Sequence, residues 1–358
     1  MQTETLIADG GALEALVASI STAPLVAIDT EFVRERTYFP QLCLVQAATS
    51  ERAACVDCLA SLDFAALFGE LAAPEHTWVL HSARQDLEVV RHHAGASPAR
   101  IIDTQVAAAL LGRAPQVSLQ DLLGDVLGVA LGKGFTRTDW SARPLPEGAV
   151  RYAIDDVAHL LPLWERLERS LIELGRLEWL HEDCRRLIED TAGGDRLVIF
   201  RRLKGVQGLD RDSQAAALAL VEWREATARK LDRPRRWIMS DDLLVRIVQQ
   251  KPGTHARLEG IADMPRRLAA RYGEEILAAV EARRRPDLEA VVEAEAAGEP
   301  PDKQRFKELQ HRVRERAAEL GIEPEVLATR RDLGALLRGR PPAHLEKGWR
   351  AAEIEPLL

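Results

Sequence analysis

The pattern of apolar and polar positions divides the chain into two parts of different character. In the first part, short β-rich runs alternate with amphipathic helical stretches. The runs that predict strands lie at residues 25–32, 42–47, 53–56, 78–80 and 101–102. Helical patterns begin at Asp63, Arg84 and Thr104, and a long helical stretch runs from Glu147 to about Ile188. This alternation predicts a mixed α/β domain at the N-terminal end.

The second part reads as helical almost throughout. Gly193 and Gly194 mark the boundary, because paired glycines are typical of loops. Beyond them, residues 197–200 are strand-like, and residues 210–285 predict several short helices. A second boundary falls at 296–301, and the final helical segment is short enough that we expect it to pack on a neighbour. The expected domains are residues 1–192, 208–288 and 300–358.

Composition and charge narrow the class of protein. With 46% hydrophobic and 29% charged residues among 358, the chain is typical of a globular protein. Its apolar runs are too short to span a membrane and its start has no apolar signal core, so we expect a cytoplasmic protein. Residues 1–195 carry 16 Lys+Arg against 29 Asp+Glu, whereas residues 196–290 carry 20 against 14. This asymmetry indicates that one part performs chemistry and another contacts a polyanion.

The four cysteines include one C-x-x-C pair, Cys55 and Cys58. A zinc site would need two further ligands at a second short spacing, and no second pair exists in the sequence. Two interpretations remain for the pair. It is either two small buried residues at a strand end or a thioredoxin-like redox pair.

Three groups of polar residues are candidates for chemistry. Asp29 and Glu31 are two apart on a predicted strand, so their carboxylates face the same side. Such hard oxygen ligands suit Mg²⁺ or Mn²⁺, although two solvated acids at a strand end are the alternative. Asp86 lies at the start of a predicted helix, where a carboxylate is either a cap or a ligand. Tyr152 and Asp156 are four apart and share one helix face, a spacing that also arises by chance.

In chain order these residues form D-x-E, then Asp, then Y-x-x-x-D. This order resembles the three motifs of the DEDD exonuclease superfamily in its tyrosine-bearing branch, and tyrosine plus four selects Asp156 rather than Asp155. Residues 22–190 are similar to the ribonuclease D family, most clearly in the stretches 31–46, 81–90, 102–105 and 137–145. Residues 210–285 resemble the HRDC module (helicase and RNase D C-terminal), and residues 302–358 resemble a second, more divergent one.

The resemblance implies an α/β ribonuclease H-like exonuclease domain, with a mixed sheet flanked by helices, followed by all-α HRDC-type domains. It implies a monomeric 3′–5′ exoribonuclease that uses two divalent cations, Mg²⁺ or Mn²⁺, and releases nucleoside 5′-monophosphates. Its expected substrates are RNAs with a free 3′ end, such as tRNA precursors. Asp29, Glu31 and Asp156 would hold one ion, Asp29 would bridge to a second that Asp86 supports through water, and Tyr152 would orient the attacking water. A 3′–5′ DNA exonuclease and a non-catalytic RNA-binding protein are the alternatives.

Further residues are candidates for substrate contact, each with a structural alternative. Phe32 either abuts the terminal base or belongs to the core, and His81 either lines the site or is structural. Arg137, Trp140 and Arg143 have the chemistry for phosphate contact and base stacking, although Trp140 also suits a core. Arg235 and Arg236 lie in a cationic run beside Trp237 and either contact phosphates without sequence preference or form a solvated helix face.

Overall fold

The computed structural model describes residues 2–95, 97–132, 134–135, 138–192, 196–296 and 302–358. The chain divides into two compact units. Unit 1 comprises residues 1–33, 41–192 and 299–358, and unit 2 comprises residues 34–40 and 193–298. Each unit has a hydrophobic core of its own.

Unit 1 is built on a mixed sheet that has six strands within the described residues, in the order β1-β4-β3-β2-β5-β6. The strands are β1 (Gln2–Ile7), β2 (Leu25–Val33), β3 (Gln41–Ala48), β4 (Arg52–Asp57), β5 (Thr77–Leu80) and β6 (Arg100–Asp103). β2 runs antiparallel to β3 and parallel to β5. The five predicted strands are confirmed. β1 was missed because it is an edge strand that pairs with β4 and begins with polar residues.

Helices flank the sheet of unit 1, as expected. They are α1 (Gly10–Ser21), α2 (Ala65–Leu71), α3 (Arg84–Ala94), α4 (Thr104–Leu110), α5 (Leu119–Leu127), α6 (Glu147–Ala158), α7 (Leu160–Glu173) and α8 (Leu177–Ala192). The long helical stretch predicted from Glu147 is therefore three helices. α6 and α7 meet at His159, and Gly175 adopts a positive φ of 66° between α7 and α8, a conformation that glycine accepts without strain.

Unit 2 is helical in its described residues. Its helices are α9 (Arg196–Arg202), α10 (Arg211–Leu231), α11 (Arg235–Ile238), α12 (Asp241–Gln250), α13 (His255–Glu259), α14 (Arg266–Glu281) and α15 (Pro286–Ala296). The strand predicted at residues 197–200 is wrong, since these residues lie in α9. A four-residue apolar run cannot distinguish a strand from a helix, and here Phe200 is fully buried in a helical core.

The C-terminal segment belongs to unit 1. Its helices are α16 (Lys303–Leu320), α17 (Pro324–Leu327), α18 (Arg330–Leu337), α19 (Ala343–Glu346) and α20 (Trp349–Ile354). Arg350 forms a buried ion pair with Asp183 of α8. Trp349 stacks on Trp179, with ring centroids 4.4 Å apart. Because these residues share the core of the sheet domain, the segment packs on a neighbour, as its length suggests.

None of the described helices combines the length and apolar character needed to cross a bilayer.

Candidate active site

The first acidic pair lies where the sheet pairing of β2 changes. β5 pairs with β2 only through Leu25–Ala27, whereas β3 continues alongside β2 to its end. Asp29 and Glu31 therefore lie just beyond the end of β5, on one face of β2. The register shifts between Glu31 and Phe32, and bulges of this kind are common next to active sites. This bulge interrupts the regular alternation of side chains at Phe32.

Helix α6 supplies the third acid of the site. It packs against β2, β3 and β4, and its fully buried residues on the sheet side include Ala149 and Ala153. Such small side chains allow a helix to approach a sheet closely. One carboxylate oxygen from each of Asp29, Glu31 and Asp156 lies within 4.8 Å of the others. The structure thus brings together three of the four predicted acids.

Asp86 approaches from a different element and is held by a different contact. It lies in the first turn of α3 and is buried, and Thr30 of β2 donates a hydrogen bond of 2.6 Å to its carboxylate. The turn before α3 is fixed by Asp103, whose carboxylate accepts the backbone N–H groups of Ser82 and Ala83 at 3.0 and 2.9 Å. Asp103 also caps α4. No role was predicted for Asp103, although an Asp between a strand and a helix is a recognisable cap signal.

Burial and mutual repulsion dominate the electrostatics of the four acids. Burial first, and then the negative charges of Asp29, Asp156 and Asp86, raise the pKa of Glu31 to about 9. Burial and Asp29 raise the pKa of Asp156 to about 8. Burial raises the pKa of Asp29 to about 6 and, together with the charge of Asp29, raises that of Asp86 well above its ordinary value.

This donor set fits divalent cations. Carboxylates that repel each other in a partly buried site bind protons or metal ions to relieve that repulsion. Hard oxygen ligands favour Mg²⁺ or Mn²⁺ over softer metals. The fit of the site to divalent cations rests on the three clustered carboxylates and on Asp86. The Asp86 carboxylate is close enough to Asp29 for the two negative charges to repel each other.

Tyr152 lies one turn before Asp156 on the same face of α6. Burial and the nearby carboxylates raise the pKa of its phenol above the ordinary value. The ring of Phe135 lies 6.2 Å from the ring of Tyr152, centroid to centroid. Tyr152 is therefore a neutral hydroxyl beside the acids, suited to hydrogen bonding rather than to taking up a proton.

Of the substrate contacts predicted in residues 137–143, the two that the structure describes are engaged by the protein itself. The Arg143 guanidinium donates five hydrogen bonds within the protein. The acceptors are both carboxylate oxygens of Asp57 and the backbone carbonyls of Trp140, Ala142 and Cys43. A guanidinium has five N–H donors, so the protein itself uses all of them. Trp140 is 5% exposed and belongs to the core of unit 1. Arg137 lies outside the described residues.

The other candidates differ in how accessible they are. Both ring nitrogens of His81 are in hydrogen-bond contact with protein groups, Nδ1 with the Thr104 hydroxyl and Nε2 with the Val117 carbonyl. Phe32 is half-buried against the core of unit 1. In unit 2, Arg235 pairs with Glu225 at 3.2 Å, whereas Arg236 is exposed.

The cysteine pair is structural in character. Cys55 is fully buried on β4, and burial raises the pKa of both thiols, that of Cys58 to about 12. Both cysteines are free thiols. Because the thiolate is the reactive form, these shifts favour the interpretation of two buried small residues over a redox pair.

One polar residue next to the acids was missed by the sequence analysis. Gln46 of β3 is directly opposite Asp29 in the antiparallel pairing, and its side chain is fully buried. Within the described ranges, neither its amide oxygen nor its amide nitrogen has a hydrogen-bond partner. Buried amides without partners are rare and call for an explanation. The available sequence signal was weak: a single glutamine within an apolar strand.

Comparisons with known proteins bear on the family and the fold. Residues 5–172 match the family model described as a 3′–5′ exonuclease, and residues 213–280 match that of the HRDC domain. Together with the mixed sheet and its acids, the first match defines a 3′–5′ exonuclease of the DEDD type, a fold that implies dependence on divalent metal ions.

Full-length relatives narrow the class further. The chain is 37% identical to ribonuclease D of Xanthomonas oryzae pv. oryzae, covering 93% of each chain. It is 34% identical to ribonuclease D of Granulibacter bethesdensis, covering 97% of this chain and 89% of that protein. The crystal structure of Escherichia coli RNase D, an exoribonuclease involved in structured RNA processing, superposes with a TM-score of 0.84 at 29% identity, covering 100% and 99% of the two chains.

The chain belongs to the ribonuclease D family, and it is a 3′–5′ exoribonuclease whose substrate is RNA.

Proposed function

We propose that the enzyme trims the 3′ ends of tRNA precursors by two-metal-ion hydrolysis, releasing nucleoside 5′-monophosphates. The observation that carries the proposal is the approach of the Asp29, Glu31 and Asp156 carboxylates to within 4.8 Å of one another. Their raised pKa values indicate that this arrangement favours bound positive charge. Two bound Mg²⁺ or Mn²⁺ ions would supply Lewis-acid chemistry, activating water and stabilising the leaving 3′ oxygen.

The four acids would share the two ions unequally. Asp29, Glu31 and Asp156 would hold one ion, and Asp29 would also contribute to the second. Asp86 would support that second ion mainly through water, since it lies outside the tight cluster and its carboxylate already accepts a hydrogen bond from Thr30. This division assigns each acid a role that its contacts permit.

Tyr152 would orient the attacking water by hydrogen bonding. Its raised pKa keeps the phenol protonated at neutral pH, so that it acts through its position and not as a bulk base. Phe32, beside the bulge, would contact the terminal base. His81, Trp140 and Arg143 are engaged by the protein and would act by shaping the site rather than by direct contact with RNA.

We further propose that the enzyme acts as a monomer and folds in the domains 1–192, 208–288 and 300–358. The match of residues 213–280 to the HRDC family supports the second of these. The shared core supports a dependence of the third on the first for its stability.

A time course on a 3′-extended tRNA precursor and on DNA of matched sequence, with and without Mg²⁺, tests the proposal. We expect Mg²⁺-dependent release of nucleoside 5′-monophosphates from the RNA and stepwise shortening to the mature 3′ end. Shortening that proceeds equally well in a chelator would contradict the metal mechanism. Activity on simple oligoribonucleotides without any on the precursor would contradict the assigned substrate.

A further inference from the structure

The C-terminal segment of unit 1 contains an open cleft with a volume of about 860 Å³. Helices α16 and α18 form its walls. Its lining residues, called the basic cleft from here on, are Lys303, Phe306, Lys307, Gln310, Arg330, Arg331, Gly334 and Arg338. Five of these eight side chains are cationic and none is acidic. The cleft is therefore a concave surface of one charge sign.

The cations of the basic cleft have no carboxylate partner in the described part of the chain. Among the described residues, none of the five forms an ion pair within 4.0 Å. The charged group of Arg330 instead lies 5.3 Å from the centre of the Phe306 ring. Unpaired cations in a concave surface create a field that attracts a polyanion. The positive charge of the cleft is thus available to a ligand.

An aromatic ring suits the cleft to a nucleic acid rather than to a small anion. Phe306 is half-buried at the cleft, where a ring face can stack on a base. Gly334 also lines the cleft, where a Cβ would meet the Phe306 ring and Arg338 at the ordinary contact distances of 3.9 and 3.5 Å. The ring itself is therefore the feature that points to a base.

We propose that the basic cleft binds the phosphodiester backbone of single-stranded RNA, with one base stacked on Phe306. RNA is the occupant that the observations favour, because the enzyme acts on RNA and because the cleft combines cations with an aromatic ring. An anionic lipid surface or an acidic peptide would use the cations but would not need the ring. The cleft would hold RNA at a place that carries none of the metal-binding acids.

The test compares two double variants that each remove two positive charges. Lys307→Gln with Arg331→Gln removes cations from the basic cleft, whereas Arg305→Gln with Lys347→Gln removes exposed cations that do not line it. Affinity for a labelled oligoadenylate is measured by anisotropy in a chelator, across a salt series. Each lost contact to a single strand should reduce the slope of log affinity against log salt by about 0.7. We expect a reduction of about 1.4, and about tenfold weaker binding at low salt, for the cleft variant alone.

Phe306→Leu gives an independent readout. Loss of stacking should weaken binding about tenfold while leaving the salt slope unchanged. Equal slopes for both double variants would overturn the proposal. So would an unchanged affinity for Phe306→Leu, which would reduce the cleft to a generic anion site. Thermal melting of each variant shows that the chain remains folded, so a loss of binding cannot be attributed to unfolding.

A second inference rests on a different observation, the buried Gln46. Residues directly opposite each other in an antiparallel pair have Cβ atoms about 5 Å apart on the same face. Gln46 therefore shares a face with Asp29, and its amide has no hydrogen-bond partner in the part of the chain that the structure describes. We infer that Gln46 is a positioning residue: its amide, still without an acceptor among the described residues, is placed to donate an N–H to the Asp29 carboxylate when that carboxylate holds a metal ion.

Replacing Gln46 by methionine keeps the approximate shape and removes the amide. Loss of a hydrogen bond behind a metal ligand typically weakens metal binding 10- to 100-fold. We expect about tenfold weaker Mn²⁺ binding by calorimetry in the absence of RNA, without loss of thermal stability in the metal-free protein. Gln214→Met is the matched control, because Gln214 is buried but donates to the carbonyls of Gln207 and Leu209.

The control should lower thermal stability and leave Mn²⁺ binding unchanged. If Gln46→Met binds Mn²⁺ as tightly as the natural protein, the amide has no positioning role. Gln46→Asn keeps a polar group but shortens the side chain, so it should also weaken Mn²⁺ binding. Normal binding by this second variant would count against the inference even if the methionine variant failed to fold.

Discussion

The two units of this ribonuclease D family member differ in where they place clusters of like charge, although both contain ion pairs. Unit 1 concentrates like charges without partners, carboxylates at the active site and cations in the basic cleft. Unit 2 has the more basic sequence, but many of its cations form ion pairs with acidic residues of the same unit. Among them are Arg196–Glu222, Arg211–Glu293, Arg224–Asp241, Arg235–Glu225, Arg246–Asp263, Lys251–Asp210, Arg283–Glu281 and Arg285–Asp287.

The difference shows that the net charge of a segment does not measure the charge available to a ligand. A paired cation is already partly satisfied, whereas an unpaired cluster carries a free-energy penalty that only a ligand relieves. Local rules of stability are most often broken at functional sites. By this criterion, the places to test in this molecule are the acid cluster and the basic cleft, before the basic sequence of unit 2.

The largest effect is expected from the acids. Replacing Asp29, Glu31 or Asp156 by the matching amide should lower the rate about 10³-fold or more, because each removes a charged metal ligand. The rate is measured on a short oligoribonucleotide at saturating Mg²⁺. Asp155→Asn is the matched control on the same helix, and it should have a much smaller effect. An inactive Asp155→Asn beside an active Asp156→Asn would reverse the assignment of the third motif.

Tyr152→Phe should have the next largest effect. The substitution keeps the ring packed near Phe135 and removes only the hydroxyl. Loss of water orientation should lower turnover about 100-fold with little change in RNA affinity. Single-turnover rates, measured where chemistry limits, provide the comparison. An unchanged rate would leave Tyr152 with a purely structural role.

The pH dependence of stability tests directly whether the clustered acids destabilise the metal-free protein. The pKa values of Asp29, Glu31 and Asp156 lie above those of free side chains, so the folded protein binds more protons than the unfolded chain between about pH 4.5 and 9. The free energy of unfolding of the metal-free protein should therefore fall as pH rises through this window. Mn²⁺ affinity should rise at the same time, by up to about tenfold per pH unit for each proton displaced.

Glu31→Gln provides the control for this pH dependence. It removes the acid with the pKa of about 9, so the stability of the metal-free variant should decline less steeply above pH 6. Chemical denaturation of both proteins in a chelator, at a series of pH values, makes the comparison. A natural protein that gains stability as pH rises would show that its acids are not destabilised by burial.

Much of the active site follows from sequence, because its signals are local. The spacing of Asp29 and Glu31 on a strand predicts that they share a face. The spacing of Tyr152 and Asp156 on a helix predicts the same for that pair. The bulge after Glu31, the hydrogen bonds from the turn before α3 to Asp103 and the unpaired amide of Gln46 do not. Each depends on which strand or turn lies alongside, and pairing between distant segments leaves no periodic signal in one sequence.

The same limit explains why the sequence favoured unit 2 as the place of RNA contact. Residues 196–290 carry a net positive charge that is easily counted, but the partners of those cations appear only in the fold. The cations of the basic cleft come from two helices more than twenty positions apart along the chain. Only the packing of α16 against α18 reveals them as one surface.

The smallest effect, on RNA binding, is expected in unit 2. There, two neighbouring arginines differ in whether they form an ion pair and can be compared directly. Arg236 is exposed, whereas Arg235 pairs with Glu225, which also accepts a hydrogen bond from Tyr38. If exposed cations of this run contact phosphates, Arg236→Gln should weaken RNA binding about threefold and reduce the salt slope by about 0.7. Arg235→Gln should change the slope less, because its charge is already partly used within the unit.

Anisotropy with one labelled tRNA precursor, across a salt series in a chelator, measures both variants beside the cleft double variant. Glu225 would lose its partner in Arg235→Gln, so thermal melting is recorded to separate a stability effect from a binding effect. Equal slope losses for the two arginine variants would show that ion pairing does not withdraw a cation from RNA. The contrast between the units would then have to rest on the cleft's concave shape and on Phe306, since the number of unpaired charges would no longer distinguish them.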